Sequence, residues 1–437
     1  MKQQGDNYKR WDIIFIGLAF FASYFGAGNL IFPPMLGLES GTGWFPAVLG
    51  LTLSGIILPL ATIVVISFAG GSVDSITSRV SKNFYKIIVG CIMVFANFVS
   101  VPRTAAVAAE LGLQGIFPKL PYIPIVIIYF ILAFYFVRTK ENVIDKIGKI
   151  LTPALALILF AIVILGLVNP VGTPSEPVVS NTFVHSFLGG YQTGDVLVSF
   201  MMANVFIGAI TSKGYISDSS RNKAVLKASF IAFICLFIVY GGLLFMGAYG
   251  GSRFNPTIER SALLVNLVEL LGGRITMVGF GIAVFLACFT TAVAQVTAIS
   301  DYFVELSADR LNYKLTALVV SVIATSVALL GVDNIVKFSN PLFMAMYPTC
   351  IALIILGYGR KLIPNDGGFK GGVILTLLYS IFEAILSTGF SPKFIRYIVE
   401  IMPLHSYGFG WVLPFIVGLL GGTLIYFFIS PKKAEKL

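Results

Sequence analysis

The sequence predicts an all-α membrane protein of twelve transmembrane helices, the first ten forming a five-plus-five inverted repeat in which helices 1 and 6 are broken. Three observations predict it. Hydrophobic residues fill 57% of the 437 positions and charged residues only 11%, under half the roughly 25% usual in a soluble domain. Apolar runs close to the roughly 20 residues needed to cross a bilayer recur along the whole chain. The first of these runs carries, at membrane depth, a cluster of residues that interrupts a helix.

Spans are expected at 11–38, 44–70, 86–113, 121–138, 146–168, 188–211, 224–249, 275–306, 315–332, 337–358, 371–390 and 409–430, and residues 1–437 read as one transmembrane domain. Span 1 contains Gly26-Ala27-Gly28-Asn29-Leu30-Ile31-Phe32-Pro33-Pro34. Its glycines weaken a helix by about 1 kcal/mol each, and its prolines remove amide donors. In hydrocarbon every backbone polar group needs a partner, so a break is expected at Gly26 to Asn29 only where it lines a cavity or is covered by protein. Carbonyls freed there can coordinate a cation, and a half-helix N-terminus can hold an anionic group.

Residues 11–168 and 188–358 each hold five spans, so the two blocks run in opposite directions, and 371–430 adds two helices. In such repeats the binding site lies where the two first helices break. Span 6 opens on Gly189-Gly190-Tyr191-Gln192-Thr193-Gly194-Asp195 and carries Ser199 and Asn204, so its interruption is expected at Ser199 to Asn204. Between spans 7 and 8, the leucine stripe from Ile258 to Leu271 predicts a short surface helix on the outer side. In span 8, Thr290 and Thr291 follow Ala287, a set of oxygens suited to Na⁺; the alternative is that both hydroxyls bond back within their own helix. Cys91, Cys235, Cys288 and Cys350 lie inside spans without metal-ligand spacing.

The net charge of +10 would suggest nucleic acid in a soluble chain. Here Arg79, Lys82, Arg138, Lys140, Arg221, Lys223, Arg360, Lys361, Lys432 and Lys433 all fall on one side once the N-terminus is placed inside. That is the positive-inside pattern, with both termini cytoplasmic; the charge reports topology, and no nucleic-acid partner is expected. No cleavable signal is visible, so the first helix is expected to remain as an anchor.

Charges inside the spans are few. Arg103 lies deep in span 3, where it either pairs with helix-end carbonyls freed by Pro102 or by a broken helix, or touches the ligand directly. Glu110 reads as solvated near the outer interface. Asp195 and Glu383 are candidate protonation sites, although span 11 lies outside the ten-helix core, which favours a structural or oligomeric role for Glu383. An intramembrane enzyme would need clustered carboxylates or a nucleophile with a base, and His185 and His405 sit in outer segments. A channel would want a ring of like groups along a continuous pore. One site at a helix break fits a carrier of a small charged molecule; an enzyme, or a carrier of another zwitterion, is the alternative.

Gly26-Ala27-Gly28-Asn29-Leu30-Ile31-Phe32-Pro33-Pro34, Val101-Pro102-Arg103-Thr104-Ala105, Gly190-Tyr191-Gln192-Thr193 with Asp195, and Thr290-Thr291-Ala292-Val293 resemble the bacterial branched-chain amino acid:cation symporter family over nearly the whole chain. That family is similar to the leucine-transporter fold. The resemblance implies a multi-pass protein of the bacterial cell membrane that takes up leucine, isoleucine and valine with Na⁺ or H⁺ and is not an enzyme. It implies that Ala22, Phe25, Ala287, Thr290 and Thr291 hold Na⁺, and that amides around Gly26, Ala27, Gly28 and Asn29 hold the substrate carboxylate. Ser199, Phe200 and Met201 are expected along the substrate from helix 6, with Met202 beside them at its apolar end.

Overall fold

The computed structural model describes residues 10–24, 26–139 and 143–429. The described residues form helices joined by turns, with no strand. In chain order the helices are α1 Arg10–Tyr24, α2 Ala27–Ser40, α3 Trp44–Thr52, α4 Leu58–Phe68, α5 Asp74–Thr77, α6 Phe84–Phe95, α7 Val101–Val107, α8 Tyr122–Thr139 and α9 Val143–Val168. They continue as α10 Thr182–Gly189, α11 Asp195–Ser212, α12 Asp218–Tyr249, α13 Arg260–Leu306, α14 Tyr313–Ala328, α15 Val332–Tyr358, α16 Asp366–Ser387, α17 Lys393–Glu400 and α18 Val412–Ile429. Eight helical stretches among the described residues are long and apolar enough to cross a membrane, and four shorter apolar helices accompany them.

Span 1 is split into α1 and α2. Gly26 is extended (φ −109°, ψ 178°) and α2 starts directly after it, so among the described residues the break falls at Gly26, the leading edge of the expected Gly26 to Asn29. Gly28 and Asn29 instead build the first turn of α2, because the Asn29 side chain reaches back to the Tyr24 carbonyl that the break frees. Pro33 and Pro34 lie inside α2 without ending it. Close packing carries the helix through them: a Cβ on Gly37 would meet the Leu244 carbonyl, and one on Gly247 the Pro34 carbonyl. Only glycine lets the α2 and α12 backbones approach so closely.

Span 6 begins earlier than expected and breaks in a different place. Asn181 caps α10 by accepting from the Val184 amide (3.1 Å). A 3₁₀ turn over Gly190–Thr193 then leads to Gly194 in the left-handed region (φ 78°, ψ 3°), a conformation that favours glycine. The following helix, α11, is continuous through Ser199 to Asn204, so the interruption expected there is absent. Ser199 satisfies its hydroxyl on the Asp195 carbonyl one turn back (2.8 Å), and Asn204 accepts from the Val73 amide (3.2 Å). Their polarity is absorbed without opening the helix.

Span 3 holds two π-helical segments, Ala96–Ser100 and Ala108–Gln114, on either side of α7. Such turns occur often at functional sites, and α7 carries Arg103. The surface helix expected between spans 7 and 8 is present: α13 runs from Arg260 to a non-helical Gly273 (φ 69°, ψ −175°) before re-entering the bundle. Glu110 is not merely solvated, since its carboxylate accepts from the Val332 amide (2.9 Å) at the start of α15.

Candidate functional site

The two breaks face each other across a cavity of about 240 Å³. That is slightly below the roughly 300 Å³ where drug-sized pockets begin, and it suits a smaller molecule. Four spans line it: Ala22 to Tyr24 and Gly26 to Asn29 from span 1, Ser100, Arg103 and Thr104 from span 3, Thr193, Asp195, Val198, Met201 and Met202 from span 6, and Thr291, Ala294, Gln295 and Ala298 from α13.

Arg103 is buried, and its guanidinium donates to the carbonyls of Gln192 (2.6 Å) and Thr193 (3.4 Å). Those carbonyls belong to the 3₁₀ turn, where no α-helical amide reaches them. Of the two roles open to Arg103, the pairing with a broken helix is therefore present. Two of its five N–H groups are committed, and the side chain still lines the cavity. Its guanidinium carbon also stands 5.6 Å from the Phe32 ring centroid and 6.0 Å from that of Phe343.

Asp195 opens α11 and is also buried. Asn29 Nδ2 donates to both its carboxylate oxygens at 3.1 Å, and the Tyr240 hydroxyl donates to Oδ2 at 3.1 Å. One asparagine side chain thus ties together the end of α1, the start of α2 and the start of α11. Arg103 and Asp195 act on each other electrostatically, yet no ion pair forms between them within 4.0 Å. The cavity therefore holds one guanidinium and one carboxyl group that do not pair with each other.

The expected substrate residues divide. Gly26, Ala27, Gly28, Asn29 and Met201 line the cavity. Ser199 and Phe200 do not: both point into the packed core because α11 is an unbroken helix there. Ser199 instead accepts from the Tyr24 hydroxyl (2.7 Å), bracing that side chain from behind. Met202, by contrast, reaches the cavity. Among the cation candidates, Ala22 and Thr291 line the cavity, whereas Ala287 and Thr290 do not; Phe25 lies outside the described residues. Thr290 and Thr291 both donate to the Ala287 carbonyl, at 3.0 and 2.9 Å. That is the back-bonded alternative, and it leaves both hydroxyl oxygens with lone pairs to offer.

Tyr240 escaped sequence reasoning, because a lone tyrosine in an apolar span gives no signal. Tyr24 had one: it lies two residues before the helix-breaking cluster.

The two glycines of the break make opposite demands. A Cβ on Gly28 would stand 2.8 Å from Arg103 Nη2 and 2.9 Å from its Cζ, while one on Gly26 would meet nothing within 4 Å. Gly28→Ala is expected to push the guanidinium off the Gln192 and Thr193 carbonyls. Hydrogen bonds to charged groups are worth about 1.5–3 kcal/mol, so ligand affinity should fall roughly 10- to 100-fold. Gly26→Ala should bind as the unaltered protein does. Equal affinities for the two variants in a direct binding assay would refute this reading of the site.

A family model described as branched-chain amino acid transport protein matches residues 9–429. The branched-chain amino acid permease BraB of Bacillus subtilis is 32% identical over 432 residues, covering 97% of both chains. Among solved structures, the inward-facing conformation of Mhp1 superposes with a TM-score of 0.60 at 13% identity, covering 99% of this chain and 94% of the other. MhsT in complex with L-phenylalanine gives 0.55 at 17%, covering 97% and 99%. These two likenesses speak for the fold alone.

Proposed function

Because the chain belongs to the branched-chain amino acid transport protein family, we propose that it is a secondary active transporter carrying leucine, isoleucine and valine into the cell together with a cation. Permeases and carriers, not enzymes, make up its named relatives. The observation that carries the proposal is the cavity between the two breaks, which presents a cation at Arg103 and an anion at Asp195 without an ion pair between them. That is the charge pattern of a zwitterion.

The α-carboxylate is assigned to Arg103 and to the first-turn amides of α2 at Ala27 and Gly28. This helix has no side-chain N-cap, so the positive end of its dipole is open to an anion. The ammonium group is assigned to Asp195. The aliphatic side chain then meets Val198, Met201, Met202, Ala294 and Ala298, which line the rest of the cavity.

The coupling cation is assigned to Na⁺ in preference to H⁺, held by Thr290, Thr291 and the carbonyls of Ala22, Phe25 and Ala287. Five neutral oxygens suit a monovalent ion better than Mg²⁺ or Ca²⁺, which recruit carboxylates. Ala287 already accepts two hydroxyl protons, so cation binding there exchanges a hydroxyl bond for a cation contact. The proposal includes twelve spans, an inverted repeat relating the two five-span blocks, insertion in a bacterial cell membrane and cytoplasmic termini.

Radiolabelled leucine uptake into proteoliposomes, with Na⁺ and pH gradients imposed separately, tests it. An inward Na⁺ gradient should drive accumulation. Valine and isoleucine should compete, because one methylene in an apolar pocket is worth only about 1–3 kcal/mol. Failure of excess valine to inhibit, or of either gradient to drive leucine, would overturn the proposal.

A further inference from the structure

A second polar cluster lies away from the cavity, where the 3₁₀ turn of span 6 meets α16 and the start of α18. At its centre is Glu383, 8% exposed within a helix long and apolar enough to cross the membrane. Glu383 forms no hydrogen bond with the described residues, and no Lys, Arg or His among them comes within 4.0 Å of its carboxylate. Four fully buried polar atoms around it lack hydrogen-bond partners among the described residues: the hydroxyls of Tyr191, Tyr379 and Ser380 and the indole nitrogen of Trp411. Tyr379 and Ser380 precede Glu383 by one helical turn, on the same face of α16. The Glu383 carboxylate acts electrostatically on the hydroxyls of both Tyr379 and Tyr191. The Trp411 indole lies beside the Tyr191 hydroxyl without closing a hydrogen bond.

Buried polar atoms are nearly always paired, and several unpaired ones in one place need an explanation. A carboxylate within a membrane is normally paired with a charge or serves an ion or proton route. Among the described residues no counter-charge comes within 4.0 Å of the Glu383 carboxylate, the hydroxyls of Tyr379 and Ser380 share its helix face, and that of Tyr191 lies within its electrostatic reach. We propose that Glu383, Tyr379, Ser380 and Tyr191 form a second binding site for a small monovalent cation, either H⁺ or Na⁺, distinct from the site at the helix breaks.

Its placement gives it leverage on transport. Tyr191 is the second residue of the 3₁₀ turn, directly before the Gln192 and Thr193 whose carbonyls hold Arg103. The Tyr191 ring stacks on Tyr347 (centroids 4.4 Å apart, 24° between planes). Tyr347 in turn accepts from the Val196 amide in the first turn of α11 (3.3 Å). A cation drawing in the Tyr191 hydroxyl therefore pulls on the span 6 break from both sides. The Tyr379 hydroxyl lies against Gly410, and the backbone of His405 borders the same glycine; on α17, Arg396 faces Glu400, and both are exposed.

The test uses the full-length protein purified in detergent and the probe ions alone. Thermal unfolding is followed with Na⁺ exchanged for choline at fixed pH, then with pH varied in choline, in the Thr290→Ala/Thr291→Ala background that removes the other proposed site. A remaining shift with Na⁺ assigns this site to Na⁺; a shift with pH alone assigns it to H⁺. Adding Glu383→Gln should abolish whichever shift is seen, and Tyr191→Phe should raise the half-saturating ion concentration about 5-fold or more, the lower end of ordinary site coupling. Ion responses unchanged by Glu383→Gln would overturn the proposal. If the double background does not fold, the same comparison of wild type with Glu383→Gln decides it. Because the readout is unfolding, it can fail while leucine transport stands, and succeed if leucine proves the wrong substrate.

Discussion

Asp195→Asn is expected to reduce leucine uptake by at least about 30-fold while leaving the protein folded in the membrane. Removing one partner from a buried, hydrogen-bonded charge pair costs about 2–5 kcal/mol, and each 1.4 kcal/mol is about tenfold. Asparagine keeps the volume of the side chain and can still bond to Asn29 and Tyr240, so a purely structural carboxylate would tolerate it. A carboxylate that receives the substrate ammonium would not. The α-keto analogue of leucine, which lacks that ammonium, sharpens the test. The unaltered protein should discriminate strongly against it, and Asp195→Asn should lose most of that discrimination. Wild-type leucine uptake by the asparagine variant would remove Asp195 from the substrate site.

The double change Thr290→Ala/Thr291→Ala is expected to abolish Na⁺-stimulated uptake. Linkage requires that losing the ion weaken leucine binding by the factor through which the ion had strengthened it, typically about 5- to 150-fold. The single changes should be unequal. Thr291 lines the cavity and Thr290 does not, so Thr291→Ala should raise the half-saturating Na⁺ concentration more. Uptake titrated with Na⁺ for each variant checks this. An unchanged Na⁺ curve in the double variant would place the coupling ion elsewhere.

Much of this site was legible in the residues. Gly26, Gly28 and Asn29 announced the break in span 1, and only its register differed, because a side-chain bond from Asn29 to Tyr24 cannot be read from composition. The span 6 break was misplaced for a different reason. Ser199 and Asn204 are polar residues in an apolar run, which imitates an interruption. The residues that do interrupt it, Gly190 to Gly194, looked like the entrance to the span. Hydroxyl back-bonding inside α11 is what separates the two cases. The depth of Arg103 announced an unusual residue, but which carbonyls it holds depends on a contact between positions 89 and 90 residues apart in the chain. Tyr240, 45 residues from Asp195, could be found only in three dimensions.

The close approach of α2 to α12 carries a consequence for how the cavity can open. At Gly37 and Gly247 main chain lies against main chain, and a contact without side chains has no rotamers through which to slip. By contrast, α1 meets α12 less closely at Gly17, where a Cβ would stand 2.7 Å from the Ile231 Cβ and 3.0 Å from the Ala228 carbonyl. The two halves of span 1 are thus unequal partners, α2 held main chain to main chain and α1 less closely, with the extended residue Gly26 ahead of α2. Spin labels spanning α2 and α12 should report one fixed distance whatever ligand is present, while labels spanning α1 and α12 should report a distribution that changes with leucine and with the ion.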